Sequence, residues 1–428
     1  MKRFVFQCCA IAASVLVGIS AASAQLRGHG GPVRALAVSA DGKTAISGSF
    51  DTSAIRWSLD RNVADEVLRF HNGAVNAVAL LTDGRIVTSG DDSRIAIWTP
   101  GEQIPRTVLE GHHAPVAALA VSADGRLLGS ASWDRTARLW PLTGGTPRVL
   151  EGHSGNVNDI AFTPDGRSVV TVGYDGTLRI WPRVGDDAPV VVRLGLPLNA
   201  VAVAPDGEIV IAGTDGKVYI LSGAGEPRDR IEAVDGPVFA MALARDGKRI
   251  AAASIRGNIA VVDRAARRIE REVTAPGLSV WSAAFLPDNR TLLAGGADLV
   301  IRRWDTTTGE SMDGLTVGNA DDPLAAYAGD PGAEVFRACV ACHALRPDDG
   351  NRAGPTLAGV FGRRIATLPG YNFSAALKKL DIVWSPETVS KLFDVGPTAY
   401  TPGTKMPEQR VGPADRAALV EFLRKATR

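Results

Sequence analysis

Cys339, Val340, Ala341, Cys342 and His343 form a C-x-x-C-H sequence. Two thiols on one short turn can add to the two vinyl groups of a protohaem, and the next residue then places an imidazole under the iron. A bare C-x-x-C would serve a redox dithiol or half a zinc site as well. The histidine that follows favours haem, and so does the cysteine count. Of four cysteines, Cys8 and Cys9 lie in an N-terminal leader, so the mature chain keeps only Cys339 and Cys342. No thiol is left for a zinc site or a second disulfide. The expectation is one covalent haem c with His343 as an axial ligand of its iron.

The leader is residues 1–24: Lys2 and Arg3, an apolar core, then Ala22-Ser23-Ala24 before Gln25. This is the layout of a secretory signal, and it predicts export to the periplasm of a Gram-negative bacterium. An uncleaved membrane anchor is the alternative, although the apolar core falls short of the roughly 20 residues a bilayer demands. Both readings place the chain outside the cytoplasm. The 428 residues suggest two or three domains, and a formal net charge of +1 gives no case for a nucleic-acid partner.

The elements that carry the haem sequence follow a long repeat. Asp41-Gly42, Asp83-Gly84, Asp124-Gly125, Asp165-Gly166, Asp206-Gly207, Asp246-Gly247 and Asp288-Asn289 are seven turn dipeptides, each 40 to 42 residues after the one before. An alternating apolar strand precedes each turn, two more follow it, and a fourth leads into the next unit. Asp51, Asp92, Asp134 and Asp175 each stand six residues before a tryptophan, and Ser47, Thr88, Ser130 and Thr171 stand ten before it. His29, His71, His112 and His153 precede them in the same four units.

In period, turns and polar set, residues 25–318 resemble the WD40 family of β-propellers. The likeness implies seven blades in which His, Asp, Ser or Thr, and Trp bond across each blade, so these histidines read as structural rather than as metal or haem ligands. Units five to seven depart: five keeps Asp215 but has Leu221 for the tryptophan, six keeps nothing recognisable, and seven keeps Asp298 and Trp304 without the histidine. They are expected to rely on apolar packing alone, either as the degenerate end of the array or as faces reshaped for a partner. Residues 305–314 read as the last outer strand, and 319–323 as a linker.

From residue 324 the period disappears and helical patterns replace strands over 331–342, 386–394 and a capped helix at 413–426. Residues 324–428 form a separate domain that resembles, from Asp330 to Thr427, class I cytochrome c of the mitochondrial and α-proteobacterial kind. The motifs that carry the likeness are Gly354-Pro355-Thr356-Leu357, Gly359-Val360-Phe361-Gly362-Arg363, Tyr371-Asn372-Phe373-Ser374, Val383-Trp384 and Tyr400-Thr401-Pro402-Gly403-Thr404-Lys405-Met406. It implies that Met406 is the second axial ligand, that the Pro355 carbonyl receives the N–H of His343, and that Arg363, Tyr371 and Trp384 surround the haem propionates. The residues add a separate argument for Met406, one of four methionines, which lies in a Pro-Gly-rich loop rather than on the apolar helix face usual for a core methionine. A thioether opposite an imidazole raises the potential and fills the iron against added ligands. Leu377, Leu392 and Phe373 stand where the family commonly has polar groups, and Thr398 and Ala399 replace lysines that ring the haem edge.

The fold class expected is thus an all-β seven-bladed propeller followed by an all-α cytochrome c domain. The function expected is a periplasmic electron carrier, not a catalyst of substrate turnover, whose propeller docks a redox partner protein. Two other readings stand beside it: an oxidoreductase with a second catalytic cofactor in the propeller, and a redox-sensing scaffold.

Overall fold

The computed structural model describes residues 25–274, 279–312, 324–337, 339–340, 343–346, 354–369, 371, 373–402, 404, 406 and 411–427. The leader, the linker at 319–323, Cys342 and Lys405 lie outside the described residues.

Seven four-stranded antiparallel sheets succeed one another in chain order. Blade one is Val33–Val38, Thr44–Ser49, Ser53–Ser58 and Val63–Arg69, running from inner to outer strand. The turn between its first two strands bends at Gly42, where φ is +71°. The same turn of every later blade also takes a positive φ, down to Asn289 at +55° in blade seven. The dipeptides therefore mark the blades because only such residues adopt that conformation without strain.

Seven apolar cores fill the seven interfaces between neighbouring blades. Between blades one and two, Ile46, Ala54 and Leu68 meet Val75, Ile86 and Trp98. The inner strands are apolar towards both neighbours, which is why they read as Val- and Ala-rich runs.

In blades one to four the polar set closes as a network. In blade one, Trp57 Nε1 donates to Ser47 Oγ at 2.7 Å, His29 Nε2 lies 2.7 Å from the same oxygen, and His29 Nδ1 lies 3.0 Å from Asp51. An indole nitrogen only donates, so the Ser47 hydroxyl gives its proton to His29 Nε2, and Nδ1–H donates to the carboxylate. Blades two, three and four repeat these contacts through Thr88, Ser130 and Thr171. Both ring nitrogens of each histidine are thus occupied within the blade.

Two expectations need correction. The last outer strand is Leu26–Arg27, not residues 305–314: Leu26 pairs with Ile301 and Arg27 with Val300. Residues 305–311 instead turn back through a single bridge between Trp304 and Ser311, because Asp305 accepts the amide and hydroxyl of Thr307 and holds a tight turn. Blades five and seven also do not depend on apolar packing alone. Asp215 accepts the Tyr219 hydroxyl at 2.6 Å, and Asp298 pairs with Arg302 at 2.8 Å.

The C-terminal part is helical: α1 (Pro331–Phe336), α2 (Ala375–Lys378), α3 (Pro386–Val395), α4 (Pro397–Tyr400) and α5 (Pro413–Ala426). Asp330 caps α1 by accepting from the amides of Gly332 and Ala333, and Ser385 and Thr388 form a reciprocal capping box on α3. The helix expected over 331–342 is shorter. It ends at Phe336, where the amides of Cys339 and Val340 both donate to the Phe336 carbonyl and wind the chain into a turn. The N-cap of α5 is Gly412, which offers no side chain, so its start is set by Pro413 rather than by a capping bond.

Candidate haem site

The turn after α1 is placed by a close helix crossing. A Cβ on Gly332 would come within 2.5 Å of Phe422 Cβ on α5, so only glycine lets the two helices approach this far. Phe336 and Tyr327 pack on the Phe422 ring with centroids 5.5 and 5.1 Å away. Cys339 is buried directly beyond this contact, and the His343 amide donates to the Cys339 carbonyl at 2.9 Å, one turn along. The sequence therefore fixes the attachment turn by packing on both sides of it.

His343 is then oriented by its neighbour across the site. Its Nδ1 lies 2.8 Å from the Pro355 carbonyl oxygen, which can only accept, so the proton sits on Nδ1 and the lone pair on Nε2. Gly354 leaves room for the ring: a Cβ there would stand 2.7 Å from Nδ1. Thr356 Oγ1 donates back to the Ala344 carbonyl at 3.2 Å and ties the two segments together.

Cys339, His343, Pro355, Arg363, Tyr371, Trp384 and Met406 all line one hollow of about 930 Å3. Seven of the eight residues expected at a haem thus converge, and the eighth, Cys342, lies outside the described residues. Arg363 and Trp384 sit on facing backbone segments joined by Gly362 N–H to Trp384 O at 2.8 Å and Trp384 N–H to Arg363 O at 2.9 Å. The Arg363 guanidinium donates to the carbonyls of Thr356 and Ala358, and burial pulls its pKa below the usual arginine value. Tyr371 stacks edge-on against Phe373 at 4.7 Å. Met406 is half-buried in the wall, its amide donating to Thr404 Oγ1 at 3.1 Å.

Much of the rest of the wall was not singled out from the sequence as haem-binding. Val389, Leu392 and Phe393 come from α3, and Leu419 and Leu423 from α5. Their i, i+3, i+4 spacing was the available signal, and it marks any buried helix face alike. The leucines noted as departures, Leu377 and Leu392, both line the hollow. On its remaining side the hollow reaches the outer strand of blade one, where Val63, Asp65, Val67 and Arg69 border it.

These residues fit a covalently held haem. The cysteine-bearing turn, an oriented imidazole, a thioether in the wall and flat apolar flanks face one space, and Gly354 keeps a side chain out of it. Comparison with known proteins agrees. The family model for cytochrome c matches residues 329–427, and 39% of 100 residues are identical to a cytochrome c from Sesamum indicum, over 22% of this chain and 87% of that protein. A cytochrome c from Ulva intestinalis is 40% identical over 105 residues, covering 23% of this chain and 92% of its own length. The chain belongs to the cytochrome c family. This cytochrome binds haem c covalently and is built for electron transfer, and its larger part is a separate module. The WD domain, G-beta repeat, matches residues 21–58, 65–99, 103–141, 144–182 and 269–305, and propellers of that kind are generally protein-interaction platforms. The matches leave out 183–268, where the His–Asp–Trp network is missing.

Among the described residues no cluster of His, Cys, Asp and Glu could hold a further metal ion, and no helix is long and apolar enough to cross a membrane.

Proposed function

We propose that this cytochrome is a periplasmic carrier of single electrons, with His343 Nε2 and the Met406 sulfur as axial ligands and the propeller as the surface that docks its redox partner. The observation that carries the ligand assignment is the His343–Pro355 hydrogen bond, which fixes the imidazole tautomer at the wall of the hollow that Met406 also lines. When bound, the haem supplies a one-electron ferric–ferrous couple. The protein's own residues do the rest. The α3 and α5 side chains that line the hollow would exclude water, Cys339 and Cys342 would anchor the group, and Arg363, Tyr371 and Trp384 would surround its propionates. Export rests on the leader sequence and on the thioether chemistry of the attachment turn.

The test is the full chain matured in a periplasm, with haem and metal content per chain and oxidised and reduced spectra, beside Met406→Ala. One haem per chain is expected. The variant should lose the low-spin signature of the sixth ligand and shift to lower potential. A Met406→Ala protein with unchanged spectrum and potential would overturn the ligand assignment. A second chromophore or metal would overturn the carrier reading. A chain lacking residues 1–24 should accumulate in the cytoplasm without covalent haem.

A further inference from the structure

Among the described residues of the propeller, the exposed large aromatic side chains all lie at one end of the repeat. Phe50, Trp133, Tyr174 and Ile255, from blades one, three, four and six, each follow the second strand of their blade, and each is 40–58% exposed. This is one position repeated: the amides of Phe50, Trp133 and Tyr174 donate to the residue just before the inner strand of their own blade. The second residue of every inner strand lies at the same end, and the strand register shifts there in all seven blades. A bulge re-aims the side chain it carries. In blades six and seven the re-aimed residues are Phe239, 39% exposed, and Trp281, which meets the Phe50 ring edge-on at 5.0 Å.

Aromatic side chains from five of the seven blades therefore share one end of the propeller. Scattered apolar residues on a surface are ordinary, but an aromatic set that two repeat positions place at the same end is a patch. Aromatic anchors are also what protein interfaces concentrate. The charged groups exposed in the same turns and loops are Asp91, Glu110, Asp215 and Asp235 against Arg135 and Arg256, an excess of acid. Cations are drawn to such carboxylates and to aromatic faces alike.

We infer that this face docks a basic polypeptide segment that inserts apolar side chains among Phe50, Trp133, Tyr174, Phe239 and Trp281, its lysines or arginines meeting the acidic loops. The inference rests on the docking role proposed above and assigns it a face and a partner chemistry.

Three short labelled Gly-Ser peptides test it by fluorescence anisotropy against the haem-loaded full chain: one carrying lysines and leucines, one glutamates and leucines, one lysines alone. The lysine–leucine peptide should bind best and weaken with salt. The triple variant Trp133→Ser, Tyr174→Ser, Phe239→Ser should lose about tenfold or more in affinity, a loss of about 1.4 kcal/mol or more. A second variant, Asp91→Lys with Asp235→Lys, should weaken the same peptide with the aromatic ring intact. Equal binding of the glutamate peptide, equal binding of the lysine-only peptide, no binding by any peptide, or unchanged affinity in both variants would overturn the inference. Haem spectra recorded on the same samples separate a failure of this face from a failure of the carrier reading.

Discussion

Individual atoms decide two features of this molecule. At Gly354 the absence of a Cβ gives the His343 ring its place, so Gly354→Ala must push either the ring or the backbone. Such overpacking costs about 1–3 kcal/mol, and a lowered melting temperature together with a disturbed visible spectrum is the expected outcome. At Trp304 the fault runs the other way. Its indole nitrogen is buried with no hydrogen-bond partner among the described residues, because the position ten residues earlier, a serine or threonine in blades one to four, is Ala294. The strand pairing is otherwise the same: Trp304 faces Leu292 as Trp57 faces Ala45. Ala294→Ser should therefore supply the missing acceptor and stabilise the propeller by about 1 kcal/mol, visible as a rise of a few degrees at most in its melting transition. The haem ligand sequence was legible because covalent attachment demands a fixed local spacing. The unmet indole was half legible, since sequence showed the tryptophan in place and its histidine gone, but only packing shows that nothing else reaches it.

At the scale of the blade, the His–Asp networks make stability depend on pH. Burial lowers the pKa of His153, with Asp175 opposing in part. The unfolded chain thus takes up that proton more readily, and the contribution is complete above about 6.5 and lost as pH falls below it. Burial raises Asp51, Asp92 and Asp134, but their histidine contacts and local hydrogen bonds outweigh it and hold all three well below the usual carboxylate range. Their contribution is complete above about 3.9 and is lost on further acidification. Acid titration followed by tryptophan fluorescence should show a first loss of stability as pH falls below about 6.5 and a steeper one below about 4. A His153→Gln protein should lack the first. The networks and turns could be read in advance because each is a short, repeated spacing. Leu26–Arg27 could not, since a two-residue strand carries no period and its partner is far away in sequence. The four-residue helices α2 and α4 were missed because little more than one turn cannot show the repeating i, i+3, i+4, i+7 pattern that reveals a helix.

For the molecule as a whole, the ring is held shut by that two-residue strand. Leu26 is 1% exposed and shares a core with Val33, Ile55 and Trp57 of blade one and Leu293 and Ile301 of blade seven. Leu26→Ala should therefore lower the stability of all seven blades by about 2–5 kcal/mol rather than fray one edge. Hydrogen exchange would register it as faster exchange in blade four as well as at Ile301, and a change confined to Ile301 would count against a cooperative ring. The division of charge also belongs to this scale: 14 basic against 10 acidic residues from 324 onward, and 31 against 36 from 25 to 323. Ring closure has a consequence in time. The residues translated first must wait for residues 300–301 before they find a partner, so the slowest contact to form is the one between the two ends of the propeller. A chain cut short anywhere before Val300 would hold finished blades with an open strand edge, the kind of surface that seeds aggregation and marks a protein for degradation. Incomplete copies are thereby set apart before they can compete for haem or for a partner.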